Sequence, residues 1–132
     1  LKRLTQKETA RDFTLQQEIM FIDLTSGRNT LQEDGQFFLN QDRLCELLTL
    51  AESIRLIPHF RIHFATLKKR GLQQPLFDLL DALEAIYGVQ RLKNWQYFLL
   101  CGRPENMGEE LEYLARLRER LGNTPVHIAL EL

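Results

Sequence analysis

A carboxylate and two hydroxyl side chains follow the first apolar run of the sequence. Asp23 lies at the end of this run, and Thr25 and Ser26 come just before Gly27. Oxygen ligands suit a hard cation, so Asp23, Thr25 and Ser26 could bind Mg²⁺ or support hydrolysis in a small enzyme. In the alternative interpretation, Asp23 caps the turn and the two hydroxyls satisfy backbone amides.

Similar polar residues follow the later apolar runs. In an open parallel sheet, ligands bind beyond the carboxyl ends of the strands. The sequence therefore predicts one edge for binding a ligand or partner, formed by Asp23, Thr25, Ser26, Arg28, Thr66, Gln74, Cys101, Gly102 and Arg103.

Motifs for other chemistry are absent from the sequence. Neither GxGxxG nor GxxxxGK[ST] occurs, which disfavours an enzyme that uses a dinucleotide or nucleoside triphosphate. Asp23, Ser26 and His63 could form a catalytic set, but no GxSxG turn supports it. Cys45 and Cys101 are far apart, which predicts free thiols and a reducing, cytoplasmic compartment. No cofactor is predicted apart from the magnesium alternative.

Basic residues concentrate in the middle of the chain, at Arg61, Lys68, Lys69 and Arg70. They form either a solvated loop or a patch for an acidic partner or nucleic acid. The whole chain has 17 Lys and Arg against 18 Asp and Glu, a formal net charge of −1. Nucleic-acid binders usually have a basic excess, so this third class of function is disfavoured.

Short apolar runs alternate with amphipathic segments that have helical periodicity. The runs at 19–24, 60–67, 95–101 and 125–130 predict strands. Helices are predicted from Asn40 or Asp42 to Pro58, from Pro75 to Gly88, and over 105–121. Residues 28–39 and 68–71 are predicted to be loops.

Strands that alternate with helices favour an α/β fold. We expect three layers in a doubly wound, Rossmann-like arrangement, with a mostly parallel sheet of at least four strands and helices on both faces. Residues 1–132 form one domain, with a core at 19–132 and a leader or edge element at 1–18. Because Leu1 is not a methionine, the chain is expected to be processed or part of a longer protein.

Three short motifs resemble the von Willebrand factor A domain. Asp23 to Gly27 resembles its D-x-S-x-S loop, Gly71 to Leu76 resembles G-G-T-P-L, and Leu99 to Pro104 resembles L-L-T-D-G-x-P. Gln74 replaces the threonine of the second motif, and the third motif lacks its aspartate. The resemblance implies a doubly wound domain with a degenerate metal site.

These observations predict a non-catalytic protein-interaction domain with a scaffold or regulatory role in a larger intracellular assembly. Its partner would be another protein or another domain of the parent chain. No apolar run approaches the roughly 18 residues that a membrane helix needs, so no membrane span is expected.

Overall fold

The structure, a computed structural model, describes residues 18–102, 107–122 and 126–130. Its strands are β1 (Ile19–Asp23), β2 (Thr30–Glu33), β3 (Gln36–Leu39), β4 (Ile57–His63), β5 (Gln96–Cys101) and β6 (Val126–Leu130). Its helices are α1 (Gln41–Ser53), α2 (Phe64–Lys69), α3 (Gln73–Tyr87), α4 (Val89–Asn94) and α5 (Met107–Leu121). A short 3₁₀ turn, Gly27–Asn29, links β1 to β2.

Four parallel strands form the main sheet in the order β1-β4-β5-β6, and β2 and β3 form a separate antiparallel hairpin. Helices pack around the parallel sheet. The predicted α/β class is therefore confirmed, and the arrangement is consistent with a three-layer fold.

The hydrophobic core contains one set of alternate residues from the sheet. Ile22, Phe60, Ile62, Tyr97 and Leu99 are all at most 2% exposed and lie in one buried cluster with helical leucines. Successive side chains of a strand point to opposite faces. The opposite set is more exposed, and we call it the outer face; its members are Phe21, Ile57, His59, Arg61, Phe98 and His127.

The segment predicted as a loop over 28–39 contains the β2–β3 hairpin. Asp34 and Gly35 both have positive φ, at 51° and 80°. This is the backbone of a type I′ turn, whose twist matches that of the flanking strands. Phe37 and Leu39 then pack against the core. The Asp-Gly signal was present in the sequence, but the strands are only four residues long and half exposed.

The second predicted strand is shifted and shortened. Pro58 lies inside β4 and does not terminate α1, which ends at Ser53 before the positive-φ residue Arg55. Phe64 is the first residue of α2. Leu67 follows three residues later, so both side chains lie on the same side of the helix, where both are buried. Lys68 and Lys69 therefore belong to a helix and not to the predicted loop.

Asn40 is the residue that caps α1. Its Oδ1 accepts a hydrogen bond from the Arg43 backbone N–H at 3.1 Å. We expect Asn40→Ala to lower the free energy of unfolding by about 1 kcal/mol, because one N–H at the helix start loses its partner. Urea denaturation measures this change. Asn40→Asp retains the acceptor and should be nearly neutral, whereas equal losses in both variants would contradict the capping role.

Candidate functional site

Asp23 organises the loop that follows β1. Its Oδ1 accepts hydrogen bonds from the Thr25 backbone N–H at 2.9 Å and the Thr25 hydroxyl at 2.8 Å. Its Oδ2 lies 3.1 Å from Nε2 of His63. Its main-chain carbonyl accepts a hydrogen bond from Nδ2 of Asn29 at 2.6 Å. Asp23 therefore binds both ends of its own loop and a residue of the neighbouring strand.

Thr25 joins this loop to the end of β4. Its hydroxyl accepts a hydrogen bond from the His63 backbone N–H at 3.1 Å, and the residue is only 3% exposed. The strand register explains why Thr25 and His63 are in contact. Asp23 lies opposite Arg61, and Thr25 and His63 each follow two residues later on their own strand or loop. Since the two strands are parallel, their carboxyl ends adjoin.

This arrangement favours a structural role for the loop. Both carboxylate oxygens of Asp23 already have protein partners, so a cation would have to replace them. No cluster of three or more His, Cys, Asp and Glu side chains suited to a metal occurs within the ranges that the structure describes. The Thr25 hydroxyl is buried and bonded, which makes it a poor nucleophile. Ser26 is half-buried beside it.

Other residues of the predicted edge differ in exposure and in hydrogen-bond partners. Arg28 and Gly102 are exposed, and Thr66 lies in α2. Cys101 is fully buried and contacts the Leu99 carbonyl at 3.8 Å. Gln74 donates a hydrogen bond to Asp78 of its own helix at 3.1 Å. Arg103 lies outside the described residues.

The predicted basic residues have different neighbours in the structure. Lys68 forms an ion pair with Glu109, and Lys69 is exposed on the same short helix. The Arg70 guanidinium lies 5.2 Å from the centre of the Phe37 ring. Arg61 belongs to the outer face, because it lies in a strand, where side chains alternate between faces.

Aromatic and imidazole rings cross the outer face from β1 to β6. Ring centres are separated by 5.7 Å for Phe21 and His59, 5.6 Å for His59 and Phe98, and 4.9 Å for Phe98 and His127. The Arg61 guanidinium lies 4.1 Å from the centre of the Phe21 ring. Partial burial, together with the charges of His127 and Arg61, lowers the pKa of His59 from its usual value. In the sequence, this surface is indicated by alternate residues of the strands, since successive side chains of a strand point to opposite faces.

A cleft opens at the amino end of the sheet, with a volume of about 180 Å³. We call it the amino-end cleft; its wall includes Leu48, Ala51, Leu56, Tyr87, Asn94 and Trp95. The Tyr87 and Trp95 rings meet edge to face at 5.6 Å. Arg91 and Glu52 also line the cleft and form an ion pair of 2.6 Å.

Several exposed apolar residues lie close in sequence to residues that line this cleft, and Ile57 itself lines it. They are Leu50, Ile54, Ile57, Ile86 and Val89, each more than 40% exposed. Helical periodicity in the sequence predicts apolar stripes that end at Ile54 and at either Ile86 or Tyr87. The structure leaves Ile54 and Ile86 exposed, whereas Tyr87 packs against the core.

No family model, curated protein or solved structure matches this chain. No helix in the described part of the chain has the length and apolar character needed to cross a bilayer. The function is therefore inferred from the geometry of the surfaces.

Proposed function

We propose that this chain is a non-catalytic protein-interaction domain with a scaffold or regulatory role, and that the amino-end cleft receives its partner. The observation that carries this proposal is a cleft with aromatic walls, whose lining includes the exposed Ile57 and whose lining residues have further exposed apolar residues near them in the sequence. Exposed apolar patches that adjoin a concave surface are typical of interaction sites.

The von Willebrand A resemblance is part of the same proposal. That family binds metal through the loop that Asp23 to Gly27 resembles. In this chain both carboxylate oxygens of Asp23 are engaged by Thr25 and His63. We therefore propose that partner binding proceeds without a metal ion.

The dimensions of the cleft indicate what the partner inserts. An apolar cavity of about 150 Å³ can hold a benzene-sized ring, and the amino-end cleft has a volume of about 180 Å³. Tyr87 and Trp95 offer ring edges and faces, while Arg91 and Glu52 offer polar groups to a peptide backbone. The expected partner segment carries one aromatic anchor residue.

Titration with N-acetyl-tryptophanamide tests this function. We expect saturable NMR shifts at Ala51, Leu56 and the Trp95 indole, with a dissociation constant of about 0.1–1 mM, the range for a ligand of this size. N-acetyl-lysinamide should cause no saturable shift.

Two tryptophan substitutions on α4 provide a matched pair. Asn94 lines the cleft and is exposed, so Asn94→Trp should fill the cleft and weaken probe binding at least about fivefold, about 1 kcal/mol. Lys93 is its exposed neighbour outside the cleft wall, so Lys93→Trp should bind the probe normally. Absence of saturable shifts, or equal binding by both variants, would refute the cleft as the site.

A further inference from the structure

A buried carboxylate in the first turn of α5 lacks a hydrogen-bond donor. Glu110 is only 3% exposed. Its Oε2 is buried and has no hydrogen-bond partner among the residues that the structure describes. The positive end of the helix dipole favours an acid in this turn, but a dipole supplies no donor to the oxygen. Because an unpaired polar group is costly to bury, a donor from outside the chain is expected beside Glu110.

Glu110 lines a cavity of about 390 Å³ between α2 and the start of α5. We call it the carboxyl-edge cavity; its wall consists of Phe64, Ala65, Lys68, Lys69, Glu109 and Glu110. The helix α2 follows β4 directly, α5 follows β5, and β4 and β5 are neighbours in the sheet. The cavity therefore lies beyond the carboxyl ends of two parallel strands, which is where open parallel sheets bind their ligands.

Within the described part of the chain, one group of each sign on the cavity wall has no ion-pair partner. Lys68 and Glu109 form an ion pair with each other, which joins α2 to α5. Lys69 and Glu110 are the next residues on the same two helices, and neither side chain takes part in an ion pair with a described residue. The wall therefore offers one cation and one anion to a ligand.

We propose that the carboxyl-edge cavity binds a free α-amino acid with an apolar side chain. The ammonium group of the ligand donates to the Glu110 carboxylate, and its own carboxylate accepts from the Lys69 ammonium. Hydrogen bonds between charged groups are stronger than those between neutral ones. Ala65 lies four residues before Lys69 on the same side of α2, so the side chain of the ligand contacts Ala65 and Phe64.

The size and rigidity of the cavity suit a small ligand. Its volume falls within the range of small-molecule sites, roughly 300–1,000 Å³. The Phe64 ring packs against the Tyr113 ring of α5, with 5.7 Å between their centres. The Tyr113 hydroxyl in turn donates a hydrogen bond to the Gln73 carbonyl at 2.8 Å. These contacts hold the wall in place before binding, which lowers the entropic cost of binding.

Titration of the full chain with L-leucine, followed by NMR, tests this assignment. We expect saturable shifts of the Ala65, Lys69 and Glu110 amides, with a dissociation constant of about 0.1–1 mM. The compound 3-methylbutylamine lacks only the carboxylate of leucine, and 4-methylpentanoate lacks only its ammonium group. Each should bind at least about tenfold more weakly than leucine, because it leaves one charge of the wall unpaired.

Two pairs of substitutions locate the site. Glu110→Gln should weaken leucine binding at least about tenfold, whereas Glu119→Gln, at an exposed position of the same helix, should not. Lys69→Gln should weaken binding several-fold, whereas Lys93→Gln, at an exposed position of α4, should leave it unchanged. Because Glu110→Gln removes a buried unpaired charge, its Tm should not fall. If Glu110→Gln does not fold, the exposed Lys69→Gln decides the outcome.

The proposal is overturned if millimolar leucine causes no saturable shift at these three amides. It is also overturned if a folded Glu110→Gln or Lys69→Gln binds leucine as the parent chain does, or if the amine or the acid analogue binds as tightly as leucine. A lower Tm for Glu110→Gln would show that the carboxylate already has a partner in the chain, which equally contradicts the proposal.

Discussion

Phe60→Ala is expected to lower the free energy of unfolding by about 3–5 kcal/mol. Phe60 is 1% exposed and lies in β4, which has a strand on each side. Its ring contacts those of Trp95 and Tyr97, each with a centre-to-centre distance of 5.4 Å. Removing the ring leaves a void that these rigid neighbours cannot close. Equilibrium urea denaturation at neutral pH measures the loss.

Phe60→Leu is the matched control, because it keeps most of the apolar volume. Its loss should be less than half that of the alanine variant. A loss below about 1 kcal/mol in Phe60→Ala would contradict a core centred on this ring, since buried aromatic truncations rarely cost so little.

Asp23→Ala is expected to lower the free energy of unfolding by about 2–3 kcal/mol. Most of this loss arises from Thr25, whose buried N–H and hydroxyl would lose their acceptor. The pair with His63 contributes less, because its side chains are 31% and 36% exposed and water screens the interaction. Thermal and urea denaturation should give concordant changes.

Asp23→Asn separates hydrogen bonding from charge. The amide oxygen can still accept both hydrogen bonds from Thr25. The free energy of unfolding should therefore fall by less than half as much in Asp23→Asn as in Asp23→Ala. A neutral Asp23→Ala would contradict the structural role of the loop. Stabilisation of the parent chain by millimolar MgCl₂, lost in Asp23→Ala, would instead support the metal-binding alternative.

The elements with strong periodicity could be predicted from the sequence. The strands β1, β5 and β6 follow apolar runs, and α1, α3 and α5 follow apolar stripes, because burial in the core imposes those patterns. The helix α4 was not predicted, since its six residues bury only Leu92. Likewise, β2 and β3 are too short and too exposed for alternation to identify them. The secondary structure of such short segments depends on contacts with residues that are distant in the sequence. A pattern read over a few neighbouring residues does not contain those contacts.

The candidate surfaces were only partly predictable. Asp23, Thr25 and Ser26 do lie together, because they are consecutive in one loop. The pairing of Asp23 with His63 depends on the register between β1 and β4, which could not be predicted from the sequence. The sequence groups Arg61 with Lys68 to Arg70, but it does not show the change from strand to helix after His63, which places Arg61 in β4 and the two lysines in α2. The amino-end cleft is lined by segments that are distant in the chain, so no short sequence motif predicts it.

The order of the parallel strands has a consequence for synthesis on the ribosome. Each strand after β1 pairs with the parallel strand made just before it, in the order β1, β4, β5 and β6. Chains emerge amino end first, and domains can begin to fold as they emerge. Among the strands that the structure describes, no early pair has to separate later to admit a third. The sheet can grow at one edge in step with translation, and every intermediate length already contains pairings of the finished protein.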